Sequence, residues 1–367
     1  MRQDRQSFRN VCASNAKQLT RRVVDQCVCM RSFARIGIGF SSRALPNFMT
    51  DRAIMLVTVL ALVAASLAAE AQPPEPMRTI GTIAHVRARS FEEGLRELGW
   101  VEGKNVRFER RMSTDNQKLS HFAAQLIRIP VDVIFAGNAA STRAAMEATR
   151  AIPIITVSAD PVSTGFVTSL ARPGANVTGL AIMHTELSSK RLEILTQVLP
   201  TARRIALLVN PANPSTPVVR RETEARALAL GVKLLLFEAS APERVATVMA
   251  AVAKEHPDAL VVQGDPVFFM SRQQLLEAAA RHRLPAMWEL RGFVEAGGLM
   301  SYGADLNELY RRAATYVDRI LRGTKPDDLP VEQATKFELV VNLKAAKAFG
   351  LTIPPSVLAR ADHVVEK

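Results

Sequence analysis

The sequence predicts an α/β protein of two doubly wound parallel-sheet lobes joined by three crossovers, and three observations carry that prediction. Short apolar runs alternate with amphipathic helical segments from Thr79 onward, the pattern of repeated βα units. The rhythm restarts once, after about residue 181, so a chain of 367 residues divides into two cores instead of one overlong sheet. Two matched stretches, VDVIFAGNAASTRAAMEAT from Val131 and ALVVQGDPVFFMSRQQLLEAAA from Ala259, each give a buried strand, a turn and a helix.

The elements follow in order. RTIGTIA is a first strand, and SFEEGLRELGW is a helix with Phe91, Leu95 and Leu98 on one face, ended by Gly99. NVRFERRM alternates as a strand, KLSHFAAQLIRI is a helix, and IPIITVS and NVTGLAI are strands beyond the Val131 unit. The second block runs LSSKRLEILTQVLP (helix), RRIALLVN (strand), a helix from Pro217 to Leu230, VKLLLFEA, a helix from Glu243 to Glu255, ALVVQG, a helix from Ser271 to Arg283, PAMWEL and LMSYG. DLNELYRRAATYVDRILRG buries Leu306, Leu309, Ala313, Val317 and Ile320; the polar linker TKPDDLP then leads to KFELVVN and a closing helix. The expected lobes are 77–180 with 303–325 and 181–302 with 333–367, joined near Gly179 and Gly303, with hinge closure as the natural motion.

The N-terminus is expected to be an address. Residues 53–69, AIMLVTVLALVAASLAA, follow Arg52 and precede an A-x-A site, the layout of a cleaved secretory signal over 49–71. A run of seventeen residues falls short of the roughly 20 that span a membrane, so a periplasmic protein is expected in place of an anchored one. Met49 is an alternative start, which makes residues 1–48 an over-extended reading frame; an Arg-rich targeting extension is the other reading.

Composition excludes several classes. Half of the formal net charge of +12 lies in residues 1–71, which hold ten Lys or Arg and four Asp or Glu, and no basic stripe follows, so no nucleic-acid partner is expected. Cys12, Cys27 and Cys29 are the only cysteines, and the six histidines are scattered without ligand spacing, so no metal or other cofactor is expected. There is no G-x-S-x-G elbow, and GWVEGKN departs from a phosphate loop in spacing and in its Asn105.

Polar residues instead gather at strand ends, where open α/β sheets bind ligands. The first lobe offers Asn138, Ala139, Ser141 and Thr142 after one strand and Ser158 and Asp160 after the next. The second offers Asn210, Asn213, Gly264, Asp265, Glu289 and Tyr302. An amino-acid-like zwitterion fits: its carboxylate on the helix N-terminus at 138–142, its ammonium against Asp160, Asp265 or Glu289, and its side chain near Phe268 or Tyr302. The same residue types also serve as turn and cap residues.

FEEGLRELGWVEGKNV, IPIITVSADPVSTGFVTSLARPGANVTGL, ELSSKRLEILTQVLP, VNPANP and WELRGFVEAGGLMSYG, with the stretch from Thr335 to Glu366, resemble the ABC-transporter substrate-binding protein family related to tryptophan and aromatic amino-acid binding proteins. The resemblance implies a type I periplasmic-binding-protein fold and a monomer that closes on a small-molecule ligand. It also implies delivery to a membrane permease driven by a separate ATPase. The loop HVRAR after the first strand is shorter than the resemblance leads one to expect; its His85, Arg87 and Arg89 would favour a more anionic ligand. An enzyme working in the interlobe cleft and a ligand sensor for a membrane receptor are the competing readings.

Overall fold

The computed structural model describes residues 76–366 other than Val86 and Thr114. The expected extension and leader, 1–48 and 49–71, lie outside the described residues. Among those described, no helix is long and apolar enough to cross a membrane.

The first sheet comprises β1 (Arg78–Ala84), β2 (Val106–Met112), β3 (Val133–Ala136), β4 (Ile154–Ala159), β5 (Val177–Ile182) and β11 (Glu332–Gln333), in the order β11-β5-β4-β3-β1-β2. The second comprises β6 (Arg204–Val209), β7 (Lys233–Glu238), β8 (Ala259–Val262), β9 (Ala286–Trp288), β10 (Met300–Ala304), β12 (Phe337–Asn342) and β13 (His363–Val365), in the order β13-β12-β10-β9-β8-β6-β7. Five strands of each sheet thus repeat one order, β2-β1-β3-β4-β5 matching β7-β6-β8-β9-β10. Strand order reverses between β1 and β3 in one sheet and between β6 and β8 in the other.

Helices cover both faces of each sheet, because each central strand is buried on both sides. Two cores flank the first sheet, one around Phe91, Phe135 and Val317 and the other around Ile83, Leu126 and Ile134. Two flank the second, around Leu207, Met287 and Val341 and around Leu208, Phe268 and Trp288. The helices that matter to the site are α1 (Arg89–Glu97), α2 (Asn116–Leu126), α3 (Ala139–Ala148), α4 (His184–Val198), α5 (Thr216–Ala229), α6 (Pro242–Lys254), α7 (Pro266–Met270), α8 (Arg272–Arg281), α9 (Arg291–Glu295) and α10 (Leu306–Leu321). The face of α10 formed by Leu309, Ala313, Val317 and Ile320 packs into the first-lobe core, as its spacing predicts.

The chain passes between sheets three times: from β5 to α4, from β10 to α10, and from β11 to β12. The sheets divide the chain slightly differently from the sequence expectation. β5 runs to Ile182 and β10 to Ala304, so 181–182 belong with the first sheet and 303–304 with the second. The linker after Gly323 also returns to the first sheet before it leaves: β11 pairs with β5, and Thr178 Oγ1 donates to the Leu329 carbonyl at 2.6 Å. Gln333 therefore lies in the first sheet and not in the second lobe, where it was expected. The second sheet is also not wholly parallel. β12 runs antiparallel to β10, Phe337 facing Ala304 and Leu339 facing Tyr302, because the third passage re-enters beside the point where the second leaves.

Candidate functional site

Both matched stretches lie at the points where strand order reverses, the places where an open α/β sheet presents its strand ends to a ligand. In the first lobe these are the turns after β1 and β3. Asn138 caps α3: its Oδ1 accepts from the Ser141 amide at 3.0 Å. That contact fixes the amide, so its Nδ2, 2.7 Å from His85 Nδ1, is the donor there, and the neutral imidazole carries its proton on Nε2. Thr142 Oγ1 donates to the Asn138 carbonyl at 2.8 Å and lies 2.6 Å from Thr156 Oγ1, which pins α3 to β4. Tyr310 on α10 donates to the Gly137 carbonyl at 3.1 Å, and burial pushes its hydroxyl up to about 12.

Two hydroxyls here stay unmet. Ser141 in the first turn of α3 and Ser158 near the end of β4 are buried, and neither Oγ has a hydrogen-bond partner among the described residues. Ser158 lies on the same face of β4 as Thr156, two residues nearer the strand end, and so toward the opening turn of α3. Asp160 follows in the left-handed region, φ 36°, its carbonyl accepting from the Thr164 amide and hydroxyl. Such a conformation in a non-glycine residue is uncommon and gathers at functional turns.

The second lobe repeats the geometry with different chemistry. Asp265 occupies the place of Asn138 and caps α7, its Oδ1 accepting from the Val267 amide at 2.8 Å. Oδ1 also accepts from Asn210 Nδ2 at 3.0 Å and Oδ2 from Asn213 Nδ2 at 2.8 Å, joining the turns after β6 and β8. Burial pushes this carboxyl above its usual range while the three N–H donors pull the other way. Gln263 Oε1 takes the Asn210 amide and the Thr216 hydroxyl, and its Nε2 has no hydrogen-bond partner among the described residues.

Glu289, after β9, is held inside the lobe. Its Oε2 accepts from the Gly264 amide at 2.7 Å and lies 3.2 Å from Nη2 of Arg191 on α4, both side chains at most 5% exposed. Arg191 Nε in turn donates to the Tyr302 carbonyl at 2.7 Å. Burial drives the guanidinium down and Glu289 draws it back up. The seat is narrow: a Cβ at Gly264 would fall 2.3 Å from Glu289 Cδ, and one at Gly303 would fall 2.1 Å from the Glu289 carbonyl oxygen.

Of the twelve residues picked from sequence, Asn138, Ala139, Ser141, Thr142, Ser158 and Asp160 gather at the strand ends of the first lobe. Asn210, Asn213, Gly264, Asp265 and Glu289 do so in the second. Tyr302 does not join them: it packs against the core of Leu207 and Met287, 6.5 Å from the Phe337 ring. Phe268 is fully buried core. In the short first loop, Arg87 pairs with Glu92, which also binds Arg110, so its cation is already matched. His85 was noted only as part of the short loop, and Gln263 and Arg191 were not picked. An Arg in SSKRLEIL carries no sequence sign of burial, whereas His85 and Gln263 sit where strands end and were legible in principle.

Other features lie away from these turns. A cavity of about 710 Å³ runs along α1, α10 and residues 332–336, and its Arg311, Arg312 and Lys336 are paired with Glu97, Glu332 and Glu308. Among the described residues, no three His, Cys, Asp or Glu side chains gather to hold a metal.

The model of a protein family described as ABC transporter substrate binding protein matches residues 84–365. A tyrosine-binding protein of Clostridioides difficile (strain R20291) is 26% identical over 266 residues, 72% of this chain and 76% of the relative. A conserved domain protein of Vibrio cholerae superposes with a TM-score of 0.74 at 27% identity, covering 78% of this chain and 99% of the other. An ABC domain from Streptococcus pneumonia, solved in complex with L-Trp, superposes with a TM-score of 0.73 at 24% identity, covering 79% and 100%.

Proposed function

The chain belongs to the ABC transporter substrate binding protein family, and from that premise we propose that it captures a free aromatic amino acid between its two lobes. It does so outside the cytoplasmic membrane, after loss of the leader at 49–71, and hands the ligand to a permease driven by a separate ATPase. The observation that carries the reading is the chemical inequality of the two matched turns. The first lobe offers the N-terminus of α3 and two buried, unmatched hydroxyls, a setting for a carboxylate. The second sets the Asp265 carboxylate at the strand ends with Glu289 behind it, so carboxylates and not cations stand at these turns, a setting for an ammonium. A zwitterion satisfies both at once. The aromatic side chain is supported by the tyrosine-binding relative, and the fold is shared with the chain solved with L-Trp.

The test is a thermal-shift screen against L-tyrosine, L-tryptophan, L-phenylalanine and small organic acids, followed by calorimetry. A true ligand at a hundred times its Kd stabilises by about 2.7 kcal/mol. Stabilisation by aromatic amino acids and not by their decarboxylated amines is the expected result. A shift with organic acids alone would replace the zwitterion, and turnover of any ligand would make the protein an enzyme.

A further inference from the structure

One buried ion pair touches elements of two of the three passages between the lobes and reaches the third through a strand ladder. Arg191 stands about two turns into α4, the helix that begins as the first passage ends. Its Nε holds the carbonyl of Tyr302 on β10, two residues before the second passage leaves at Ala304. β10 is laddered to β12, the strand on which the third passage arrives, with Tyr302 facing Leu339 and Gly303 facing Glu338. Glu289, the partner of Arg191, has its backbone carbonyl seated against Gly303 and its carboxylate on the Gly264 amide, next to Asp265.

We propose that Arg191 and Glu289 form a positioning pair that couples the hinge to the ligand-facing turn of the second lobe, holding the β8–α7 turn and the departing β10 strand in one fixed relation. Glu289 acts through Gly264 and Gly303 and not by touching ligand. The geometry gives the pair two jobs that ordinary core packing would not need. One is to satisfy a carbonyl on the strand that carries the hinge, and the other is to orient an amide on the turn that carries Asp265. A buried ion pair is weak evidence for stability, since apolar or neutral replacements of both members are often tolerated. What the pair supplies at this place is then alignment.

The inference rests on the proposed closure around an amino acid, so the test includes a readout that uses no ligand. In a chain with Cys12, Cys27 and Cys29 changed to Ser, the exposed Glu147 and Leu228, one in each lobe, are changed to Cys and spin-labelled for a distance distribution. Affinity for L-tyrosine and L-tryptophan is measured alongside. The neutral double variant R191M/E289Q keeps an acceptor for the Gly264 amide. It is expected to fold with a melting temperature near the parent's, to broaden the ligand-free distance distribution and to bind at least tenfold more weakly. R191K, which replaces the separate Nε and Nη2 contacts with one ammonium, should fall between the two. A folded double variant with unchanged distances and affinity overturns the proposal; if that variant does not fold, R191K decides by the same readouts. If the parent binds neither amino acid, the ligand reading has failed, and the distance distribution alone judges the hinge.

Discussion

The turn after β3 and the turn after β8 occupy equivalent positions in two sheets of the same strand order, yet one is capped by Asn138 and the other by Asp265. The first is bonded to a neutral imidazole and leaves Ser141 and Ser158 with hydrogen-bonding capacity to spare. The second spends its carboxylate on two asparagines and an amide, with an Arg–Glu pair behind it. On the proposed reading one backbone plan thus supplies a surface for an anion and a surface for a cation, and the difference resides in very few side chains. The Asp265 carboxylate ties the turns after β6 and β8 together through both its oxygens, where in the first lobe the Asn138 amide meets His85.

Breaking the second turn should have the largest effect. Gly264→Ala drives a methyl into the Glu289 carboxylate; overpacking typically costs about 1–3 kcal/mol, read as a fall in denaturant midpoint. Where binding is read, Asp265→Ala is larger still. It strands Asn210, Asn213 and the Val267 amide and should weaken amino-acid binding by about 2–5 kcal/mol by calorimetry, with a lowered melting temperature as well. Retained affinity in a folded Asp265→Ala protein would remove the ammonium from this lobe.

Acid sharpens the comparison by acting on one half. Asp265 titrates above the usual carboxylate range, so affinity for L-tyrosine should decline as the pH falls toward that raised value, before ordinary surface carboxylates are protonated. The sign for stability is opposite for this group. With the folded-state value raised, its contribution is full below the unfolded value and is lost as the pH rises through the folded one. Glu332, drawn down by Arg312, behaves the other way and loses its contribution as the pH drops. The smallest effect belongs to the first turn. Ser141→Ala and Ser158→Ala should each cost about 0.5–1.5 kcal/mol of affinity and leave the ligand-free melting temperature unchanged or slightly higher, because each removes a buried hydroxyl with no described partner.

The repeat of βα units, the double sheets and the two matched turns were all legible, since apolar periodicity and turn residues are local signals. β11 was not. Glu332 and Gln333 have no apolar alternation, and their pairing with β5 depends on Leu329 and Val331 being drawn into the first-lobe cores from 150 residues away. The direction of β12 was equally hidden, because strand polarity is set by where a passage lands. Among site residues, Asn138 and Asp265 follow from strand-end position, whereas Tyr302 was misplaced by alternation: its neighbour Ser301 faces the other side of β10. Arg191 stayed invisible because a basic residue beside Lys190 and Glu193 on an amphipathic helix has every local mark of a solvated one.

The slots at Gly264 and Gly303 carry a consequence for descent as well as for mechanics. Gly264 is shaped around the Glu289 carboxylate and Gly303 around the Glu289 backbone carbonyl, so a methyl group at either would run into the same residue. Drift at Gly264 and Glu289 is therefore expected to be concerted: a cousin bearing alanine at Gly264 should also bear a shorter residue in place of Glu289 and another companion for its buried guanidinium, whereas at Gly303 the obstacle is backbone and no trimming of that side chain removes it.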